Sequence, residues 1–151
     1  MIELTTGVVF LLSSMYGAGS PMANATAVQS NAEPLIIRSA FTAETNKKEL
    51  ENYLKKNYSD TPILVEIAKC ESTFVHYAKS GMVVRGMENK ADVGIMQINE
   101  KYHLETAKKL GMDIYTVEGN VAYAKYLYEK SGTSPWSASQ PCWQGKVVAM
   151  K

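Results

Sequence analysis

The segment from Thr61 to Phe74 constrains this chain most, because it reads as a short helix with a carboxylate set in its apolar stripe. Thr61 stands as the N-cap and Pro62 at the first helical position, where its missing N–H costs nothing. Leu64, Ile67 and Ala68 recur at helical spacing and mark the buried side. Glu71 lies four residues after Ile67 and continues that stripe. Glu66 and Lys69 fall off it and are placed to pair on the wet face. A carboxyl in apolar surroundings holds its proton to higher pH, which is what a general acid requires. The plain alternative is a helix-end Glu that bends out to solvent.

A second segment adds weight to the acid. Asp92-Val93-Gly94-Ile95-Met96-Gln97-Ile98-Asn99 is apolar but broken by a glycine and an amide. Gly94 marks a place where the backbone bends or something approaches closely. Gln97 interrupts Ile95, Met96 and Ile98, and a buried amide needs partners. It either ties backbone together or reads the polar groups of a ligand. Between the two segments, Ser80 to Gly86 reads as a short strand between turns.

Ala68-Lys69-Cys70-Glu71-Ser72-Thr73-Phe74, followed by Asp92-Val93-Gly94-Ile95-Met96-Gln97-Ile98-Asn99, resembles the lysozyme-like superfamily. The Glu-Ser pair and the Gly-Ile-Met-Gln run are similar to the soluble lytic transglycosylases. Asp92, one residue before Val93, is similar in place to the catalytic Asp of C-type lysozymes. Cys70 directly before Glu71, with Cys142 after Pro135-Trp136, resembles the resuscitation-promoting factors. The resemblance spans residues 60 to 143. The chain departs from the transglycosylases late in the domain. There they carry an Ala-Tyr-Asn-Ala-Gly type motif whose Tyr contacts the catalytic Glu. Here the stretch reads Gly132-Thr133-Ser134-Pro135-Trp136-Ser137-Ala138-Ser139-Gln140-Pro141-Cys142-Trp143. The gap from Glu71 to Asp92 is also longer than in C-type lysozymes.

The resemblance implies an α+β domain, mostly α, with a small β-hairpin beside a catalytic cleft. It implies cleavage of the β-1,4 bond between N-acetylmuramic acid and N-acetylglucosamine in peptidoglycan glycan strands. Glu71 is then the general acid and base, and Asp92 the candidate second carboxylate, although the longer gap from Glu71 favours a structural place for Asp92 at the turn that leads into Gly94. Ser72, Met96, Gln97 and Asn99 fall in the matching motifs and are expected to contact substrate. Aromatic faces suit sugar rings, and Tyr123 and Trp136 are the aromatic candidates. A lytic transglycosylase is the first expectation. A muramidase is the alternative, and no cofactor is needed in either route. The rivals from other classes are a non-catalytic wall-binding module and a small structural secreted domain.

The 151 residues support one core, with a net charge of +1. No basic stripe points to nucleic acid. Cys70, His76, His103 and Cys142 match no familiar zinc spacing, so no metal is expected. Gly7 to Leu12 is apolar but too short to span a bilayer. With the small residues Met22 to Ala27 it makes 1–27 read as a signal-like segment, although Glu3 and the lack of Lys or Arg depart from that pattern. Residues 28–58 read as linker plus a short helix through Leu50, Tyr53 and Leu54. Residues 59–144 read as the catalytic domain and 145–151 as a tail. The two cysteines of an exported chain suggest one bridge, Cys70 to Cys142; reduced buried thiols are the alternative. The protein is expected to be extracytoplasmic and monomeric, with no stable membrane span after processing. The remaining pattern is helical scaffold. Asn99 caps a helix through Leu104, Ala107 and Leu110 that stops at Gly111. Thr116 starts another through Val117, Val121, Ala124, Leu127 and Tyr128 that stops at Gly132.

Overall fold

The computed structural model describes residues 39–147. The signal-like segment and most of the linker expected ahead of the domain lie outside the described residues. In chain order the elements are α1 (Lys47–Asn57), α2 (Ile63–Ser72), β1 (Asp92–Val93), β2 (Ile98–Asn99), α3 (Glu100–Lys109) and α4 (Val117–Ser131). A 3-10 segment (Ser134–Ser139) leads into α5 (Gln140–Val147). The architecture is α+β and mostly helical, with one small antiparallel hairpin.

The helices begin and end where local chemistry demands. Asn46 accepts from Glu49 N, and the Glu49 side chain reaches back to the Asn46 N–H, a capping box that starts α1. Asn99 accepts from Lys101 N to start α3, and Thr116 accepts from Gly119 N to start α4. Gly132 ends α4 at a positive φ of 58°. For α2 the expected cap is displaced by one residue. Pro62 is the N-cap without a side-chain hydrogen bond, and the Thr61 hydroxyl turns to Asp60. The expected strand through Ser80–Gly86 reduces to single bridges, Tyr77 to Val83 and Arg85 to Val93.

α2 lies at the centre, packed on α1, α5 and the 3-10 segment. Its Leu64, Ile67 and Ala68 are fully buried. They join Leu50 and Leu54 from α1, Tyr58 at its C-cap, and Val117, Val121, Tyr123 and Ala124 from α4. The helix expected ahead of the domain thus packs into the same core, and the Tyr58 hydroxyl donates to Val121 O at 2.7 Å. The packed unit starts before residue 59, and α5 runs on to Val147 through the stretch read as a tail. Glu66 does not pair with Lys69. Lys146 Nζ of α5 lies 2.9 Å from its Oε2, a charge contact without hydrogen-bond geometry. Among the described residues no helix is long and apolar enough to cross a membrane.

Candidate active site

Glu71 sits one residue from the end of α2, half-buried at the wall of a cleft of about 560 Å³. The same cleft is lined by Gly86, Met87, Asn89, Asp92, Gln97, Ile98, Asn99, Tyr102, His103 and Trp136, among others. Burial raises the Glu71 carboxyl above its ordinary value, the negative charge of Asp92 adds to that rise, and a hydrogen bond from Ser139 opposes it. The helical face read from the sequence therefore aims the acid where the sequence placed it, into a cleft rather than into bulk water. α2 ends abruptly behind it. Thr73 and Phe74 both take left-handed backbone, with φ of 53° and 59°. Such conformations are costly for non-glycine residues and persist only where the surrounding structure enforces them. Gln97, on the facing wall, is the third such residue among those described, with φ of 50°.

The facing wall is the β1–β2 hairpin, and its turn is held by buried side chains from several elements. Ile95 N donates to His76 Nδ1 at 3.1 Å, and Ser72 Oγ donates to Ile95 O at 2.8 Å. Met96 N donates to Asn120 Oδ1 at 2.9 Å, while Trp136 Nε1 donates to Met96 O at 2.9 Å. Asn120 Nδ2 donates to Val93 O at 3.0 Å and to Ile114 O at 2.8 Å. Every one of these groups would be costly if left buried and unpaired. Gly94 makes the arrangement possible. Its φ is +75°, and a Cβ there would lie 2.6 Å from both Asn120 Nδ2 and His76 Cε1. His76 accepts at Nδ1 and so carries its proton on Nε2, which lies 3.0 Å from Tyr115 O. Burial keeps its ring neutral by lowering its affinity for a second proton.

The pinned turn presents Asp92, Gln97 and Asn99 to the cleft. Gln97 Nε2 donates to Gly94 O at 2.7 Å, so the amide ties backbone together while standing on the cleft wall. Asp92 and Asn99 face each other across the hairpin. Asp92 Oδ1 accepts from Asn99 Nδ2 at 2.7 Å and from Asn89 Nδ2 at 3.2 Å. It thereby braces the hairpin against the 86–89 loop. Asn99 serves twice, since its Oδ1 caps α3.

Several expected substrate contacts lie elsewhere. Met96 is fully buried and belongs to the core. Tyr123 is 1% exposed, with its hydroxyl 3.2 Å from His103 Nδ1, and it does not line the cleft. The Ser72 hydroxyl is spent on backbone, with Ile95 O at 2.8 Å and Ala68 O at 3.2 Å, and the residue lines an adjoining pocket with Glu71, Gly86 and Gln97 rather than the main cleft. Trp136 lines the cleft but is only 3% exposed, its indole N–H spent on the hairpin. The large apolar side chains that stand exposed at the cleft are Met87 and Tyr102, 91% and 80% exposed. Neither follows from periodicity or motif.

Cys70 and Cys142 form a disulfide that ties α5 to α2 beside Glu71. The same junction brings in a residue the sequence did not single out. Ser139, at the end of the 3-10 segment, donates to Glu71 Oε1 at 2.6 Å. Its Oγ accepts from Trp143 Nε1 at 3.0 Å and lies 3.1 Å from Trp136 O. This is the region where the chain departs from the Tyr-bearing motif, and a hydroxyl meets the glutamate there nonetheless. Among the described residues no cluster of three or more His, Cys, Asp or Glu side chains is arranged to hold a metal.

A helical domain with an acid at the end of its central helix, facing a small hairpin across a cleft, defines a lysozyme-like glycosidase class. The family model for the Transglycosylase SLT domain matches residues 49–137. The chain belongs to that family, whose members are lytic transglycosylases, peptidoglycan-cleaving enzymes that act outside the cytoplasm. The match begins inside α1, in agreement with the packing of that helix. No curated protein and no solved structure gives a significant match.

Proposed function

We propose that the protein cleaves the β-1,4 bond between N-acetylmuramic acid and N-acetylglucosamine by lytic transglycosylation, with Glu71 as acid and then base. The observation that carries this is the half-buried Glu71 carboxyl in the cleft, raised above its ordinary value mainly by desolvation. In the first half of the reaction Glu71 gives its proton to the glycosidic oxygen, the C1–O bond breaks, and N-acetylglucosamine leaves as an alcohol. The positive charge at C1 is oxocarbenium-like and is shared by the substrate's own N-acetyl oxygen. The muramic 6-hydroxyl then attacks C1 and returns its proton to the Glu71 carboxylate. A 1,6-anhydro ring closes, no water is consumed, and the enzyme is restored.

Asp92 acts as a brace on this route, because two amides hold its Oδ1 toward the hairpin and the 86–89 loop. A hydrolytic route is the second reading. It is favoured by the fact that Asp92 lines the same cleft and its charge reaches Glu71. Water would then attack C1 and leave a reducing end. The export segment and the extracytoplasmic location read from the sequence fit either route, since the substrate lies outside the cytoplasm.

Incubation with purified sacculi tests the proposal. Wild-type protein releases muropeptides. Glu71→Gln keeps shape but has no proton to give, and its release falls at least ~10³-fold while the protein still pellets with sacculi. Glu66→Gln, whose partner is Lys146, leaves the rate close to wild type. A fully active Glu71→Gln would refute the assignment. Sedimentation without release by the wild-type protein would mark a wall-binding module instead.

A further inference from the structure

The Ser139 hydroxyl has one proton and two lone pairs, and three groups surround it. Trp143 Nε1–H can only donate, and it is shared between Ser139 Oγ at 3.0 Å and Trp136 O at 3.2 Å, so through the nearer contact it takes one lone pair of the hydroxyl. That leaves one proton and one lone pair for Glu71 Oε1 at 2.6 Å and Trp136 O at 3.1 Å. When Glu71 is ionised the hydroxyl proton belongs on Oε1, the stronger acceptor. When the proton sits on Oε2, Oε1 is carbonyl-like and still accepts from Ser139. Only a proton on Oε1 would turn the hydroxyl away to Trp136 O. That arrangement reverses the 2.6 Å contact and spends the acid proton on Ser139. The indole of Trp143, itself 4% exposed, and the disulfide beside it hold the hydroxyl in this place.

We propose that Ser139 is the positioning residue that fixes Glu71 Oε1, so that the transferable proton rides on Oε2 and faces the glycosidic oxygen through both halves of the cycle. This rests on the reading of Glu71 as acid and base. Ser139 touches neither sugar nor reacting atoms in this scheme and acts through Glu71. One donated hydrogen bond serves both protonation states, which suits a group that must lose and regain a proton in each turnover.

The test is the pH profile of muropeptide release for a small set of variants, with Glu71→Gln in the same series. Ser139→Ala is expected to lower kcat about tenfold, in line with the loss of one hydrogen bond to a charged group, with KM little changed. Release requires protonated Glu71, so activity falls as pH rises through its pKa. Removing the Ser139 donor removes the influence that opposes the rise, so this limb moves to higher pH. Ser139→Thr and Ser139→Val share one shape and differ only in the hydroxyl, which keeps the test open if Ser139→Ala folds poorly. The proposal requires that Ser139→Thr keep the wild-type profile and Ser139→Val move it. Equal profiles for those two variants, or a Ser139→Ala variant that is slow with an unmoved limb, would assign Ser139 to holding α5 and overturn the proposal. An inactive Glu71→Gln alongside either result shows that only the Ser139 inference fails. An active one removes the basis of both.

Discussion

The two walls of the cleft handle buried polar groups in opposite ways. On the hairpin side, Asn120 is fully buried and spends its amide on three backbone groups, Val93 O, Met96 N and Ile114 O. His76 is likewise buried and bonded at both ring nitrogens. On the α2 side, Glu71 is desolvated without such compensation, with one oxygen held by the Ser139 hydroxyl. A saturated polar group specifies a shape, whereas an under-compensated one keeps a chemical potential in reserve. The hairpin is thus a fixed wall opposite the half-buried carboxyl. Left-handed backbone does not follow this contrast, since it occurs at Thr73 and Phe74 behind Glu71 and at Gln97 on the hairpin wall.

The largest effect on stability should come from cutting the covalent tie between α2 and α5. The Cys70–Cys142 bridge spans a sequence separation of 72, and Cys142 is solvent-exposed. In the chain-entropy model, loss of a loop of that size costs roughly 4 kcal/mol. Thiol titration of the untreated protein should find no free cysteine, and reduction should lower the melting temperature markedly. A melting temperature that ignores reductant would show that α5 is held by packing alone.

Next in size is the hairpin pin. Asn120→Ala strands Met96 N and two carbonyl oxygens in the core and should cost about 3 kcal/mol, measured by denaturant unfolding. Muropeptide release should fall with it, since Gln97 and Asn99 lose their support. A loss below about 1 kcal/mol would mean that water replaces the amide and that the turn is less saturated than described.

Asp92→Asn should be milder. An asparagine oxygen can still accept from Asn99 and Asn89, so a brace survives the exchange, with a rate loss below about tenfold. Loss of activity as complete as that of Glu71→Gln would make Asp92 a catalytic carboxylate and favour hydrolysis.

The smallest effects are on stability against pH, and they differ in sign for the two walls. Burial raises Glu71 above 4.5 in the folded state. Its contribution is therefore full below the unfolded value and is lost as pH rises through the folded one. Glu71→Gln removes that loss, so the inactive variant should melt slightly higher than wild type at neutral pH. His76 is depressed below 6.5 by burial. Its contribution is present above that value and is lost as pH falls toward the folded one. A calorimetric series in pH should show the Glu71 slope lost in Glu71→Gln, with the His76 slope and those of the other shifted groups unchanged from wild type.

What the sequence made legible follows from how local each signal is. Glu71 could be found because one helix face, read over ten residues of α2, decides where it points. The caps at Asn99 and Thr116 and the bend at Gly94 are equally local. Ser139 was not legible, since its role depends on a residue 68 positions away and on an irregular turn. Asn120 looks like a surface residue of α4 until the hairpin is seen to lean on it. Tyr123 and Trp136 show the limit of reasoning from residue type. Both are aromatic as a sugar platform would be, yet one packs in the core and the other spends its indole on the hairpin. The exposed Met87 and Tyr102 at the cleft belong to no pattern, because function at a cleft rim leaves no periodicity.

The most direct test of the central claim is the product chemistry. Sacculi digested by the wild-type protein in heavy-oxygen water, with the muropeptides weighed by mass spectrometry, separate the two fates of C1. Ring closure by the muramic 6-hydroxyl, with Glu71 as acid and base, predicts 1,6-anhydro ends that carry no heavy oxygen. Reducing ends that have each gained one heavy oxygen atom from solvent would contradict it.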